Sequence, residues 1–191
     1  VVRALKDHGV DTLFGYPGGA VLPIYDALFS DDDVRHILVR HEQGAGHAAE
    51  GYARSTGKVG CALVTSGPGA TNMVTPLADA LLDSIPMVVI AGDVPSHYYG
   101  KHPHQEVNLH ADAAQSEIYR PFVKRVWRVE RADLFPEALA KAFQLAESGR
   151  PGPVLVSVPM DIFSAKVDTR LFERLDLHTR SLLKPSIDDA T

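Results

Sequence analysis

The feature that most constrains this chain is a series of short apolar segments separated by stretches with helical periodicity. Such segments occur at residues 12–17, 36–40, 61–65, 87–92, 122–126 and 154–158. Strands that are apolar on both faces and alternate with helices are typical of a parallel sheet covered on both sides. The sequence therefore predicts an α/β fold: a doubly wound, mostly parallel sheet of about six strands with helices on both faces.

Length and charge narrow the class of protein. The 191 residues fit one domain, and the formal charge of −5 gives no reason to expect nucleic acid or an anionic membrane as a partner. No apolar run approaches the ~20 residues that span a bilayer. A single cysteine, Cys61, excludes an internal disulfide, and we expect a cytoplasmic protein. We assign residues 1–168 to the domain and the polar residues 169–191 to a linker toward a missing central domain of a longer polypeptide.

Three motifs follow strands directly, at residues 15–20, 40–54 and 65–72. In an open parallel sheet the carboxyl ends of the strands meet at one edge, where ligands bind. The three motifs are therefore expected to lie close together. Each motif alone is a weak signal, whereas the three in this order are a strong one.

Glu42 is the candidate catalytic carboxylate. It follows a buried strand. The small residues after it allow a flat ligand or another backbone to approach, and they are Gly44, Ala45, Gly46, Ala48 and Ala49. A carboxylate held there loses water, which suits it to share a proton with a ring nitrogen. The alternative is an ordinary helix N-terminal Glu that interacts with the helix dipole. Further along the same helix, Glu50 and Arg54 are predicted to form a local ion pair.

The glycine-rich segment 67–72 has two interpretations. Glycines at a helix N-terminus can cradle a phosphate. The segment lacks the Lys of a P-loop and does not match the dinucleotide-binding fingerprint, so a tight turn that brings backbone against a ligand ring is favoured.

The loop from residue 96 to residue 110 contains His97, His102, His104 and His110. Their spacing fits none of the usual zinc patterns, so we predict no metal ligand in this chain. The two remaining interpretations are a solvated loop and a substrate-facing loop in which one His moves protons near neutral pH. Elsewhere, Trp127, Phe135 and Phe143 are predicted to serve packing only.

The chain resembles the N-terminal domain of thiamine-diphosphate-dependent enzymes of the acetolactate synthase type. The same sequence motifs recur, with variations, in pyruvate oxidase, benzaldehyde lyase and sulfoacetaldehyde acetyltransferase. The resemblance extends from residue 1 to about residue 163 and is carried by residues 14–20, 40–45, 50–54, 63–72 and 149–154.

The resemblance implies a pyrimidine-binding domain, the first of three domains, in a carboligase or decarboxylase acting on 2-keto acids or related carbonyl compounds. Glu42 would activate the cofactor through ring nitrogen N1′, and Gln105 would face the substrate. The C-terminal domain would hold the diphosphate and Mg²⁺, and FAD is possible in the full-length enzyme. The active site would lie at the subunit interface of a homodimer or tetramer, which leaves the fragment alone inactive. The residues expected to bind the cofactor are Tyr16, Pro17, Glu42, Thr65, Pro68 and Asn72.

One position departs from the family. Acetolactate synthases usually have Phe before the Gln of this loop, and here His104 precedes Gln105. Condensation of two pyruvates is therefore in doubt, and a decarboxylase or another carboligase becomes credible, with His104 moving a proton on the substrate side. The alternative from another class is a binding or regulatory module that has kept the fold and lost catalysis.

Overall fold

A computed structural model describes residues 1–107 and 114–174, which form an α/β domain around one sheet. Neighbouring strands lie in the order β2-β1-β3-β4-β6-β5, and every described pair is parallel. The predicted fold class is confirmed, with a sheet that is wholly rather than mostly parallel. The strands are β1 (Thr12–Gly15), β2 (Arg35–Leu38), β3 (Gly60–Val64), β4 (Met87–Asp93), β5 (Arg125–Arg128) and β6 (Pro153–Pro159).

Seven α-helices accompany the strands in the described residues, and short 3₁₀ turns lie between them. The 3₁₀ turns are Gly19–Val21, Ser96–Tyr98, Gln115–Phe122, Ala132–Leu134 and Thr169–Arg174. The helices are α1 (Val2–Asp7), α2 (Leu22–Phe29), α3 (Glu42–Thr56), α4 (Pro68–Thr71), α5 (Val74–Leu82), α6 (Phe135–Glu147) and α7 (Met160–Phe163).

Two helices, α4 and α5, follow β3, and they are separated by Asn72 and Met73. The strands match the predicted apolar segments to within two residues at each end, apart from one. The strand expected at residues 122–126 begins later, at Arg125, since the 3₁₀ turn that contains Pro121 occupies the preceding residues.

Each face of the sheet has its own apolar core. One core packs α1, α2 and α6 against the sheet and includes Leu5, Leu139 and Phe143. The other packs α3 and α5 against the opposite face and includes Ala49 and Leu77. Helices therefore cover both faces, as the strand pattern predicts. Trp127, Phe135 and Phe143 all belong to or pack against the first core, which confirms their packing role.

Helix α3 is fixed close to the sheet by small side chains. Its buried face carries Ala45, Ala49 and Ala53. A Cβ on Gly60 of β3 would lie 2.1 Å from the carbonyl oxygen of Ala49, so the helix backbone touches the strand directly. Such contact leaves little freedom for the helix to shift, and it determines where Glu42, at the N-terminus of α3, is held.

The predicted linker begins against the domain. Phe172, in the turn Thr169–Arg174, packs on the first core, and the guanidinium carbon of Arg3 lies 4.8 Å from the centroid of its ring. Residues 175–191 of that segment lie outside the described residues. In the part of the chain that is described, no helix has the length and hydropathy required to cross a membrane.

Candidate functional site

The three sequence motifs converge at one edge of the sheet. Strand β1 lies between β2 and β3, so the carboxyl ends that precede the three motifs are neighbours. The chain runs from β1 outward to β2 on one side and continues from β3 on the other. This is the topological switch point at which doubly wound folds bind ligands.

The carboxylate of Glu42 is buried at this point. Glu42 is the first residue of α3 and is 9% exposed. Its Oε2 accepts a hydrogen bond of 2.8 Å from Nδ2 of Asn72, whereas Oε1 accepts none from the described residues. The preceding residue, His41, caps the helix, with Nδ1 accepting from the backbone amide of Gln43 at 3.2 Å. Glu42 is therefore oriented by a neutral amide and has one oxygen available for a ligand.

The turns around Glu42 and Thr65 have no room for a side chain at Gly69 and Gly18. A Cβ on Gly69 would lie 2.6 Å from Cγ2 of Thr65 and 3.1 Å from Oε1 of Glu42. A Cβ on Gly18 would lie 2.5 Å from Cβ of Thr65, and the Thr65 hydroxyl accepts from the amide of Ala20 at 3.3 Å. Thr65 therefore holds the turns after β1 and β3 together, and Gly69 keeps the carboxylate accessible.

Three other predicted residues lie on the surface of the same edge. Tyr16 and Pro17 follow β1 and are exposed, with Tyr16 at 40% of its full exposure. Pro68, the first residue of α4, is exposed as well. The fold thus brings Glu42, Thr65 and Asn72 into one contact group beside Gly69. The exposed side chains of Tyr16, Pro17 and Pro68 lie at the rim of this group.

A Tyr–His pair lies behind the site, and sequence reasoning missed it. The hydroxyl of Tyr25 in α2 is 3.2 Å from Nε2 of His36 in β2. Burial raises the pKa of Tyr25, and the negative charge of Glu42 raises it further, so the phenol stays neutral. Burial lowers the pKa of His36, which favours the neutral imidazole. A His within an apolar strand was the only available signal in the sequence.

The His-rich loop reaches the site through its backbone. The carboxylate of Glu106 accepts from the amides of Gly100 and His102 at 2.7 and 2.8 Å, which shapes the loop. Gln105 has a positive φ of 67° and packs on Gly67, while the His104 side chain is exposed. His110, the last His of the loop, lies outside the described residues.

The first amide of the glycine-rich turn has a protein partner. The backbone N–H of Gly67 donates to Oε1 of Gln115 at 2.7 Å, and Gln115 is 2% exposed. This amide is thereby committed and does not point to a ligand. The geometry favours the tight-turn interpretation over the phosphate cradle. Gln115 is a third residue that sequence reasoning missed, since a lone Gln gives no signal in the sequence.

A second buried carboxyl lies at the same edge. Asp93 ends β4 and is 3% exposed. Its oxygens accept from the amide of Val94 at 2.8 Å and from the hydroxyl of Tyr99 at 3.3 Å. Burial raises the pKa of Asp93. These contacts attach the start of the His-rich loop to the sheet.

One group of possible metal ligands occurs among the described residues. Donor atoms of His47, Glu50 and Asp79 lie within 4.8 Å of one another, and none of the three belongs to the His-rich loop. Glu50 is committed to Arg54, whose Nη2 donates to its Oε1 at 2.8 Å, which confirms the predicted ion pair. Arg54 also pairs with Asp83. The group is accounted for as an ion-pair network between α3 and α5.

Comparison with known protein families gives one match over more than half of the chain. Residues 1–114 match the family described as "Thiamine pyrophosphate enzyme, N-terminal TPP binding domain". This range contains β1 to β4 and every residue predicted for the site.

Individual relatives are similar over most of the chain. An acetolactate synthase large subunit of Corynebacterium glutamicum is 52% identical over 93% of the chain. The acetolactate synthase of Mycobacterium bovis is 51% identical over 93%, and the acetolactate synthase large subunit of Haemophilus influenzae is 54% identical over 84%. The aligned part spans 27–28% of the length of these relatives.

Proposed function

The chain belongs to the family of thiamine pyrophosphate enzyme N-terminal TPP binding domains, and from this we propose the activity of the whole protein. In this proposal the whole protein is a thiamine-diphosphate-dependent carboligase or decarboxylase of the acetolactate synthase type, and it acts on 2-keto acids or related carbonyl compounds. The observation that carries the proposal is the buried carboxylate of Glu42, oriented by Asn72 against the bare backbone of Gly69.

The residues at the site fit the aminopyrimidine end of this cofactor. A flat ring requires a surface without side-chain bulk, and a Cβ on Gly69 would fill the space beside Glu42. A ring nitrogen requires a proton-sharing partner, and Oε1 of Glu42 accepts no hydrogen bond from the described residues. Tyr16, Pro17 and Pro68 would border the ring from the rim. When bound, thiamine diphosphate supplies the electron sink for breaking and forming bonds next to a carbonyl.

Glu42 holds and moves the proton in this proposal. The amide of Asn72 fixes the direction of the carboxylate through Oε2 and leaves Oε1 to exchange a proton with N1′. Because Asn72 brings no charge, it does not compete with the ring for the negative charge of the carboxylate. General acid–base help of this kind contributes about 10²–10⁴-fold to a rate.

The remaining parts of the enzyme belong to regions outside this chain. We propose that central and C-terminal domains complete it, that the C-terminal domain holds the diphosphate and Mg²⁺, and that FAD is an optional further cofactor. The site would be completed at the interface of a homodimer or tetramer. A free, buried Cys61 is in keeping with a cytoplasmic protein.

The test uses the full-length protein with thiamine diphosphate and Mg²⁺. Cofactor binding is measured by calorimetry, and CO₂ release and product formation are measured over a panel of 2-keto acids. We expect saturable cofactor binding and turnover of at least one 2-keto acid. A protein that binds no thiamine diphosphate would overturn the proposal, whereas binding without turnover of any carbonyl substrate would favour a non-catalytic module.

His104 is proposed to move a proton on the substrate side, beside Gln105. Replacing His104 by Phe in the full-length enzyme restores the residue usual in acetolactate synthases. We expect an altered rate and a product spectrum shifted toward acetolactate. An unchanged rate and product spectrum would exclude this role for His104.

A further inference from the structure

The side chain of Gln115 bridges two parts of the site edge. Oε1 accepts from the amide of Gly67 at 2.7 Å, and Nε2 donates to the carbonyl of Gly92 at 2.8 Å. The residue is 2% exposed, so both hydrogen bonds are shielded from water. An amide whose donor and acceptor ends are both engaged in a buried place is held in a single orientation.

Gly92 connects Gln115 to the frame of the site. A Cβ on Gly92 would lie 2.8 Å from Cβ of Ala20, so the end of β4 touches the turn after β1. The amide of Ala20 donates in turn to Thr65 at 3.3 Å. Gln115 therefore holds Gly67 to backbone that already belongs to the contact group around Thr65.

The backbone conformation of Gly67 is one that only glycine adopts without strain. Its φ is 59° and its ψ is −116°. A Cβ on Gly67 would lie 2.5 Å from the carbonyl oxygen of Gln105. The amide of Gly67 thus faces Gln115, while its other side supports the backbone of Gln105.

We propose that Gln115 is a positioning residue that, through Gly67, sets the placement of the turn Gly67–Gly69 relative to Gln105. The proposal rests on the proposed function in one respect, because it takes the turn as the cofactor side and Gln105 as the substrate side. Both hydrogen bonds of the Gln115 side chain in the described residues go to backbone atoms, of Gly67 and of Gly92. Gln115 therefore acts through the backbone of the turn and of the end of β4.

The first experiment measures kinetics of the full-length protein with Gln115→Met, which keeps the length of the side chain and removes both hydrogen bonds. We expect the thiamine diphosphate concentration for half-maximal activity to rise about tenfold, and the substrate KM to rise as well. The matched control is Phe143→Leu, in the core on the opposite face of the sheet. It should lower the Tm without changing either constant. Equal changes in both variants would overturn the proposal.

A second variant separates hydrogen bonding from packing. In Gln115→Glu the ionised carboxylate can accept from Gly67 but faces the carbonyl oxygen of Gly92, whereas the protonated carboxyl reproduces both bonds. We expect the half-saturating concentration of thiamine diphosphate and the substrate KM to approach the wild-type values as the pH falls toward the pKa of the introduced carboxyl group. A defect that does not depend on pH would contradict the bridge.

Hydrogen exchange of the full-length protein without added cofactor tests the placement independently of any activity. Gln115→Met should accelerate exchange of the amides at residues 65–72 and at residues 103–107, and Phe143→Leu should leave both unchanged. Unchanged exchange in Gln115→Met would overturn the proposal. Failure of the wild-type protein to bind thiamine diphosphate would instead overturn the proposed function, and the exchange result would still decide the role of Gln115.

Discussion

Helix α3 carries two buried glutamates with opposite surroundings. Glu42 begins the helix and is 9% exposed, and Glu50 lies further along it and is 5% exposed. Glu50 accepts from Nε and Nη2 of Arg54 at 3.2 and 2.8 Å. Glu42 accepts from the uncharged amide of Asn72 at 2.8 Å, and no Lys or Arg of the described residues pairs with it.

The difference shows how burial alone fails to identify a catalytic carboxylate. A buried charge is costly unless it is paired, and the guanidinium of Arg54 meets that need for Glu50. Glu42 has no such partner in the described part of the chain, so a ligand that shares a proton with it or brings a positive charge is stabilised there. Glu50 therefore contributes to structure, and Glu42 is available for chemistry.

The strongest test of this contrast is Glu42→Gln in the full-length enzyme. The substitution keeps the shape and an acceptor for Asn72 but removes the exchangeable proton. We expect turnover to fall by about 10²–10⁴-fold, with a Tm equal to or above that of the wild type. Turnover within a few fold of the wild-type rate would refute the catalytic role of Glu42.

The next largest effect is expected from Gly69→Ala, which fills the space beside Glu42. The added Cβ would lie 2.6 Å from Thr65 Cγ2, so the turn must shift and the ring loses its surface. We expect the half-saturating concentration of thiamine diphosphate to rise at least about tenfold. The control is Gly152→Ala, whose Cβ would lie 3.1 Å from the flexible side chain of Lys124. An equal loss of cofactor affinity in the control would show that the effect is not local.

A smaller effect is expected from Asn72→Ala, which leaves Glu42 in place without its orienting donor. We expect kcat to fall about tenfold while the fold is retained, because one buried hydrogen bond is lost. Steady-state kinetics of the full-length enzyme provides the measurement. An unchanged kcat would show that Asn72 does not orient the carboxylate.

Glu50→Gln should have the reverse profile of Glu42→Gln. Removing the charge weakens the bonds to Arg54, which is about half exposed and can return to water, so we expect a loss of about 1 kcal/mol in the free energy of unfolding. The rate should stay close to that of the wild type. Should turnover fall as far as in Glu42→Gln, the division between the two glutamates would be wrong.

The smallest effect concerns Asp11, another carboxylate that contacts α3. It accepts from the hydroxyl of Tyr52 at 2.6 Å and pairs with Lys58, and this pair is the larger cause of a pKa lowered to about 2 from 3.8. A lowered pKa in the folded state stabilises the protein above the unfolded value of 3.8, and this stabilisation is lost as the pH falls to about 2.

Acid unfolding of the wild type and of Asp11→Asn tests this expectation. The wild type should be slightly more stable above pH 4, and the difference should shrink as the pH falls from about 4 to about 2. A difference that is the same over this range would mean that the carboxylate of Asp11 is not ion-paired. The effect is small because nearly half of the side chain is exposed.

Local patterns in the sequence predicted much of the site. The pair between Glu50 and Arg54 follows from a separation of four residues, because one helical turn places such side chains side by side. The burial of Glu42 follows from its place between a strand and a helix rich in small residues. The bridge by Gln115 could not be predicted, since it joins an amide that is 48 residues away.

What the sequence determined by itself is the set of parts: six strands in a parallel sheet, three motifs at their carboxyl ends, and the pairs spaced by one helical turn. What only the tertiary structure decided is which of those parts touch. Asn72 reaches Glu42 across 30 residues of chain, and Tyr25 reaches His36 from another element. The physical reason is that short spacings are set by helix and strand geometry, whereas long ones depend on strand order and on how closely the helices pack.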